Sequence, residues 1–201
     1  MGQLKNLVTW LKEKTFLRKL VLRNTTLFKR LIWDYEYRSG DWDYIDHPPA
    51  EHFARIIEEH LQGGSIIDLG CGTGKTIHAL SAFTRYTGLD VSTVAVGKGR
   101  EDFRSRENVF FVAADIATYT DQHRYDVVLW SEVIYYFDHQ KIVPVLNRYQ
   151  GFLAEGGVQI VQLYSKEQQA AVVELIRKNF SILAEQETED KEGNRSIILV
   201  F

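Results

Sequence analysis

The stretch "IIDLGCGTGKT", Ile66 to Thr76, joins a short apolar run to three closely spaced glycines. Its ending, Gly74-Lys75-Thr76, matches the end of an ATPase loop in which a lysine and backbone N–H groups hold phosphates. That loop also needs a glycine five positions before Gly74, and Leu69 stands there. The dinucleotide pattern G-x-G-x-x-G fails as well, because the third glycine arrives one residue early. The pattern that fits is Asp68-x-Gly70-x-Gly72-x-Gly74.

Length and composition predict one soluble globular domain. The chain has 201 residues, of which 45% are hydrophobic and 25% charged. No run approaches the ~18 apolar residues that a membrane-spanning helix needs. Cys71 is the single cysteine, so no internal disulfide can form. Together with the lack of a signal-peptide pattern, this predicts a reducing, cytoplasmic setting. The histidines show no metal-ligand spacing with the cysteine, so no metal is expected.

The N-terminal segment is basic and has helical apolar spacing. Residues 1–33 carry a net charge of +7, whereas the rest of the chain carries −10. Apolar residues recur at helical intervals in three groups: Leu4/Leu7/Val8/Leu11, Leu17/Leu20/Val21 and Leu27/Phe28/Leu31/Ile32. One interpretation is a set of helices that packs on the body of the protein. The alternative is a peripheral arm that contacts an anionic membrane surface or an acidic partner.

Beyond residue 48 the chain alternates strand and helix patterns. The predicted strands are 65–69, 85–90, 108–115, 125–130, 157–164, 180–187 and 195–201. The predicted helices are one after Pro48-Pro49 that Gly63-Gly64 closes, then Lys75–Thr84, Ser92–Arg104, His139–Leu153 and one that begins at a Ser165/Gln168 capping box. This alternation predicts a mostly parallel, doubly wound α/β sheet of seven strands with helices on both faces. The short polar turn around Glu192-Gly193-Asn194 predicts that the last two strands form an antiparallel hairpin.

In such a sheet, ligands bind at the carboxyl ends of the strands. Asp68 places a carboxylate beside the glycine loop, where it would repel a phosphate but not a cationic ligand. Asp90 ends the second strand near the offset at which a carboxylate reaches ribose hydroxyls. Asp115 and Ile116 follow the third strand, as a polar acceptor and an apolar residue suited to adenine. "WSEVIYYF" (130–137) follows the fourth strand. A ligand with adenine, ribose and a positive centre satisfies all four turns.

From about residue 34 to 201 the chain resembles class I S-adenosylmethionine-dependent methyltransferases. The resemblance rests on an ordered series: "DLGCGTG" at 68–74, "LD" at 89–90, "AADI" at 113–116, "YDVVLWSEVIYYF" at 125–137 and "LAEGG" at 153–157. It implies a Rossmann-like seven-stranded fold with an antiparallel last strand, S-adenosyl-L-methionine as cofactor and S-adenosyl-L-homocysteine as product. It implies that the cofactor is bound by Asp68, Gly70, Cys71, Gly72, Gly74, Asp90, Val91, Asp115, Ile116 and Ser131. Cys71 is then a small residue that fits the turn.

The substrate side is predicted from two aromatic segments. "IWDYEYRSGDWDYID" (32–46) is similar to segments that precede the core in bacterial small-molecule methyltransferases and fold over the cofactor as a lid. The alternative is an aromatic cluster that anchors the N-terminal helices. The second segment carries Tyr135-Tyr136, a pair that resembles nodulation-type N-methyltransferases acting on amino sugars. Trp42, Tyr44, Tyr135 and Tyr136 are therefore the candidate substrate residues. The domain prediction is an N-terminal arm and lid over 1–48 and a cofactor-binding core over 49–201.

The sequence favours methyl transfer to an amine nitrogen of a small molecule. An amine must arrive neutral, and an aromatic pocket disfavours its charged form. The candidate catalytic residues are Tyr136, Glu132 and His139, the last two as proton acceptors. A hydroxyl or carboxylate acceptor is the alternative, and a partner protein that binds the cofactor without catalysis stays open. The acidic body argues against a nucleic-acid partner.

Overall fold

A computed structural model describes residues 26–40, 51–164, 168–189 and 195–201. Within these residues the α-helices are α1 (Thr26–Ser39), α2 (Glu51–Leu61), α3 (Thr93–Asp102), α4 (His139–Gln150) and α5 (Ala170–Asn179). Short 3₁₀ helices cover Lys75–Ala79 and Ile134–Tyr136. The strands are β1 (Gly63–Leu69), β2 (Phe83–Asp90), β3 (Val109–Ala113), β4 (Tyr125–Ser131), β5 (Leu153–Leu163), β6 (Ala184–Glu189) and β7 (Arg195–Val200).

The strands form one sheet in the order β3-β2-β1-β4-β5-β7-β6. The first five strands pair in parallel, and β7 is antiparallel to both β5 and β6. Strand order reverses between β1 and β4, the point at which open α/β sheets bind ligands. The predicted seven-stranded sheet, with its antiparallel last strand and terminal hairpin, is confirmed.

Alternation along the strands divides the core between the two faces of the sheet. In β4, Val128 and Trp130 face one apolar cluster, whereas Val127 and Leu129 face the other. The first cluster is covered by the buried faces of α4 and α5, and the second by α2, α3 and the 3₁₀ helix at 75–79. Successive side chains of a strand point to opposite faces, so a sheet covered on both sides needs nearly continuous apolar strands.

One predicted helix is largely wrong. The pattern at Lys75–Thr84 predicts an α-helix, but the structure has a 3₁₀ helix that ends at Ala79. Ser81 is held by Glu58, which accepts from its backbone N–H and its hydroxyl, both at 2.6 Å. Phe83 then pairs with Gly63 at the start of β1. Pairing with the neighbouring strand outweighs the local helical preference there.

The basic N-terminal segment enters the described structure at α1. Ile32 is buried, but the rest of its predicted stripe is exposed: Leu27, Phe28 and Leu31. The predicted stripe therefore does not pack on the body of the protein as a unit. No helix among the described residues is long and apolar enough to cross a membrane.

Several predictions fall outside the described residues. They are the apolar groups before residue 25, Pro48-Pro49, Trp42, Tyr44, the capping box at Ser165 and the turn around Glu192-Gly193-Asn194. The division of the chain at residue 48 also stays a prediction. Gly63 and Gly64 belong to β1, and α2 ends at Leu61.

Candidate functional site

A cavity of about 770 Å³ opens at the carboxyl ends of the parallel strands. The loops that follow β1, β2, β3 and β4 form its floor and sides, and α1 and the end of β5 complete it. Of the predicted cofactor residues, nine line it: Asp68, Gly70, Cys71, Gly72, Asp90, Val91, Asp115, Ile116 and Ser131. The structure therefore brings together residues that lie as much as 63 positions apart in the sequence.

The glycine loop after β1 takes the predicted left-handed backbone. Gly70, Gly72 and Gly74 have φ values of 74°, 55° and 84°. A Cβ atom at Gly72 would lie 2.6 Å from the Tyr37 hydroxyl oxygen, which is closer than any real contact. Gly72 is therefore needed for its backbone conformation, and its lack of a side chain leaves room for the Tyr37 hydroxyl.

Gly74 departs from its predicted role, because it does not line the cavity. A Cβ atom there would lie 2.5 Å from Cζ of the buried Phe111 ring. Gly74 therefore serves packing and turn geometry rather than ligand contact.

We expect Gly74→Ala to lower the free energy of unfolding by about 2–4 kcal/mol, since it adds overpacking to a left-handed backbone cost. Gly156→Ala is the matched control, because Gly156 has φ 76° and a Cβ atom there would meet nothing within 4 Å. That control should cost about 1–2 kcal/mol, the backbone part alone. Urea denaturation of both variants measures the difference. Equal losses would contradict the packing role of Gly74.

Asp90 is buried and holds the glycine loop in place. Its Oδ2 accepts from the Gly72 N–H at 3.0 Å, and its Oδ1 accepts from the Ser92 N–H at 2.8 Å. Burial raises the pKa of Asp90 to about 6, and the two backbone hydrogen bonds oppose that rise. Each carboxylate oxygen can accept a second hydrogen bond, so the side chain can still receive hydroxyl donors from the cavity.

Asp68 lies at the end of β1 and is almost fully buried. The Tyr86 hydroxyl donates to its Oδ2 at 2.7 Å. Burial raises the pKa of Asp68 to about 6, against hydrogen bonds from Tyr86 and Thr76. Cys71 lies near both acids, and burial followed by the charges of Asp90 and Asp68 raises the pKa of its thiol well above the usual value. A thiol held protonated in this way is a poor nucleophile, in line with the prediction that Cys71 only fits the turn.

Asp115 already has protein partners in this structure. Its Oδ2 accepts from the Thr26 hydroxyl at 2.7 Å and from Lys29 Nζ at 2.9 Å, and its Oδ1 accepts from the Ala117 N–H at 3.0 Å. Burial alone would raise the pKa of Asp115, but these three donors outweigh it and hold the pKa below its usual value. Ile116 beside it gives the cavity an apolar wall.

Glu132, which follows β4, is the most unusual side chain of the cavity. Its φ is 56°, a left-handed backbone that is rare outside glycine and that clusters at functional sites. The Tyr135 hydroxyl donates to its Oε2 at 3.2 Å. Its Oε1 is buried and has no hydrogen-bond partner among the described residues. Burial raises the pKa of Glu132 to about 7, and the Tyr135 hydroxyl and the Tyr164 backbone N–H oppose that rise.

Three aromatic rings share the cavity with Glu132. Tyr135 and Tyr136 lie with ring centroids 4.8 Å apart, and Trp33 from α1 meets Tyr136 edge to face at 5.3 Å. Burial also raises the pKa of Tyr135, so its hydroxyl stays protonated and donates to Glu132. The structure thus brings two of the predicted catalytic residues, Glu132 and Tyr136, into one cavity.

His139 is not brought to that cavity. It is the exposed first residue of α4 and borders a separate surface depression. Because it contributes nothing to the cavity wall, we leave His139 out of the proposed chemistry.

Sequence reasoning placed Trp33 and Tyr37 in the predicted lid segment without naming either as a site residue, and it missed several other cavity residues. One face of α1 carries three cavity residues at a spacing of four: Lys29, Trp33 and Tyr37. That regular spacing was a usable signal, because residues four apart share one side of a helix. Lys75, set aside with the failed phosphate-loop pattern, also lines the cavity, as do Gln162 and Tyr164 at the end of β5. The Ser131 hydroxyl donates to Gln162 at 3.0 Å, which links the ends of β4 and β5.

The family model described as "Methyltransferase domain" matches residues 66–157, from the glycine loop to the start of β5. The predicted resemblance to methyltransferases is confirmed over these residues. The matched residues contain all the cavity carboxylates described above.

Three known proteins show what the chain is similar to. Malonyl-[acyl-carrier protein] O-methyltransferase 2 of Ilyobacter polytropus is 23% identical over 132 residues, which cover 63% of this chain and 49% of that protein. Nodulation protein S of Sinorhizobium fredii is 24% identical over 92 residues, 44% of this chain and 43% of that protein. The chain thus spans about half the length of the curated relatives it matches.

The third is the crystal structure of the Burkholderia thailandensis 1,6-didemethyltoxoflavin-N1-methyltransferase with bound 1,6-didemethyltoxoflavin and S-adenosylhomocysteine. It superposes with a TM-score of 0.70 at 18% identity and covers 85% of each chain. At that identity the likeness shows the fold.

Proposed function

We propose that this protein transfers the methyl group of S-adenosyl-L-methionine to an amine nitrogen of a small molecule, such as an amino sugar or another amino metabolite. The observation that carries the proposal is the buried Glu132 oxygen without a partner among the described residues, set among Tyr135, Tyr136 and Trp33 in the cavity that also holds Asp90. An aromatic wall with one carboxylate acceptor suits a ligand that bears N–H groups. A cytoplasmic setting belongs to the same proposal.

The residues present fit the cofactor. Asp90, with both oxygens able to accept more hydrogen bonds, would take the ribose hydroxyls. Ile116 and Asp115 would hold adenine, with Gly70, Cys71, Val91 and Ser131 lining the rest. Lys75 adds a positive charge beside the glycine loop, where it would meet the cofactor's carboxylate.

Bound S-adenosylmethionine supplies an electrophilic methyl group on a positively charged sulfur. The chain itself has to bind the amine, free it of its extra proton and align it. Glu132 would accept that proton at Oε1 while the Tyr135 hydroxyl holds Oε2. The rings of Tyr136 and Trp33 would limit water around the nitrogen, which favours its neutral form. Positioning of this kind is worth ~7–11 kcal/mol when two reactants must meet.

A hydroxyl acceptor is the second candidate, and the raised pKa of Glu132 favours it too. A carboxylate whose pKa is about 7 is matched to general-base work near neutral pH.

The test is a turnover screen that follows S-adenosylhomocysteine formation with amines, amino sugars, phenols and carboxylates. We expect an amine to give the highest kcat/KM. Turnover confined to phenols or carboxylates would replace the amine proposal with the second candidate. Tight S-adenosylhomocysteine binding with no turnover on any acceptor class would indicate that the protein binds the cofactor without catalysis.

Tyr136→Ala is expected to lower kcat/KM for the amine by about 10- to 100-fold, since truncating a buried aromatic wall costs positioning and admits water. His139→Ala is the matched control outside the cavity and should leave kcat/KM within about twofold. Steady-state kinetics at saturating cofactor measures both. If His139→Ala loses most of its kcat while Tyr136→Ala keeps it, the cavity assignment is wrong.

A further inference from the structure

Helix α1 is fastened to the core through a buried carboxylate. Asp34, 6% exposed, accepts from the Ser92 hydroxyl at 2.7 Å and from the Val94 N–H at 3.1 Å, both at Oδ1. Its Oδ2 accepts from the Thr93 hydroxyl at 2.9 Å. These donors form the turn that begins α3, where Ser92 is the N-cap residue. A carboxylate at a helix N-terminus is stabilised by the unpaired N–H groups of the first turn.

The turn that donates hydrogen bonds to Asp34 also donates one to Asp90. Ser92 donates its backbone N–H to Asp90 Oδ1 and its hydroxyl to Asp34 Oδ1, so one residue joins the two carboxylates. Asp90 Oδ2 in turn accepts from the Gly72 N–H in the glycine loop. A continuous chain of hydrogen bonds therefore runs from α1 through Ser92 and Asp90 to the loop after β1.

The same helix touches the cavity on either side of Asp34. Trp33 and Tyr37 both line it, and Tyr37 closes over Gly72. Arg30 Nε donates to the Val91 carbonyl oxygen at 3.4 Å, beside the same turn. The docked position of α1 and the orientation of Asp90 are thus set by one group of contacts.

We propose that Asp34 is a positioning residue for cofactor binding, which acts through Ser92 on Asp90. This inference rests on the proposed function, because it takes Asp90 to be the group that receives the ribose. Asp34 itself does not line the cavity, so its effect must pass through the turn at 92–94.

The experiment is calorimetric titration of the full-length protein with S-adenosylhomocysteine, at a temperature at which circular dichroism shows each variant to be folded. We expect Asp34→Ala to weaken binding by roughly tenfold, because three donors lose their acceptor. Asp34→Asn should retain most of the affinity, since its carbonyl oxygen can replace Oδ1 and its amide can donate to the Thr93 hydroxyl. Thr93→Val removes one contact and should give a smaller loss in the same direction.

Asp126→Ala is the matched control. Asp126 Oδ2 likewise accepts from a backbone N–H and a hydroxyl, both of Ser65, at 2.6 Å and 2.9 Å, but it lies at the opposite end of β4 from the cavity. This variant should lower Tm and leave Kd within about twofold.

Unchanged affinity in Asp34→Ala, or equal losses of affinity in Asp34→Ala and Asp126→Ala, would overturn the positioning role. Failure of the wild-type protein to bind S-adenosylhomocysteine would instead overturn the proposed function.

Discussion

Glu132→Gln is expected to lower kcat by about 10²- to 10⁴-fold, the range over which general acid–base groups contribute. Glutamine keeps the size of the side chain but cannot accept the proton of the attacking nitrogen. In the wild-type protein kcat at saturating substrates should rise with pH through about 7, as Glu132 ionises. That rise should be missing from the variant. The measurement is kcat from about pH 5.5 to about pH 9 for both proteins, a range that spans this ionisation.

The stability of the same variant gives an independent check on Glu132. The pKa is raised from 4.5 to about 7 in the folded protein, so the folded state binds this proton more tightly than the unfolded state. The stabilisation is therefore complete below pH 4.5 and is lost as pH rises to about 7. The glutamine variant should lack this dependence in its thermal unfolding.

Asp121→Asn is the control for the kcat measurement on Glu132. Asp121 also accepts from tyrosine hydroxyls, those of Tyr119 and Tyr125, but it does not line the cavity. Its kcat–pH profile should match that of the wild type. An unchanged profile in Glu132→Gln would remove Glu132 from the chemistry.

Asp90→Ala is expected to weaken S-adenosylmethionine and S-adenosylhomocysteine by the same factor, about 10- to 100-fold, since both carry one ribose and hydrogen bonds to a charged group are worth about 1.5–3 kcal/mol. The wild-type affinity for both should fall as pH drops below about 6, where Asp90 becomes protonated. Calorimetric titration measures each ligand.

A truncated ligand separates ribose binding by Asp90 from its support of the glycine loop. The 2′,3′-dideoxy form of S-adenosylhomocysteine has no ribose hydroxyls, so Asp90→Ala should weaken it much less. If Asp90→Ala weakens S-adenosylhomocysteine and its 2′,3′-dideoxy form by the same factor, Asp90 acts by holding Gly72 and Ser92 rather than by binding the ribose.

The sequence predicts the carboxylates of the site well because parallel strands place their carboxyl ends together. Asp68, Asp90 and Asp115 each lie at or just after the end of a strand that apolar patterning reveals, and sheet topology then brings them together. Gly74 shows the limit of such reasoning. Its spacing predicts a ligand contact, but the Phe111 ring that it faces comes from β3, and no local pattern reveals that contact.

The contacts that position α1 are still harder to predict from local sequence patterns. Asp34 and Ser92 are 58 positions apart, and no sequence pattern predicts that they form a hydrogen bond. The aromatic segment predicted a lid, and two of its rings, Trp33 and Tyr37, do line the cavity. The polar contacts that fix the helix depend on the packing of α1 beside α3, which only the folded structure reveals.

The acids around the cavity have a consequence for ligand exchange. Near neutral pH, Asp68 and Asp90 are largely ionised, since burial raises the pKa of each only to about 6. On the proposed function, the cofactor S-adenosylmethionine carries one positive charge more than the product S-adenosylhomocysteine. The electrostatic attraction between the cavity and its ligand therefore weakens when the methyl group is transferred. This weakening speeds the dissociation of S-adenosylhomocysteine and favours its replacement by S-adenosylmethionine. Added salt should narrow the difference in affinity between the two ligands, because ions screen charge attraction.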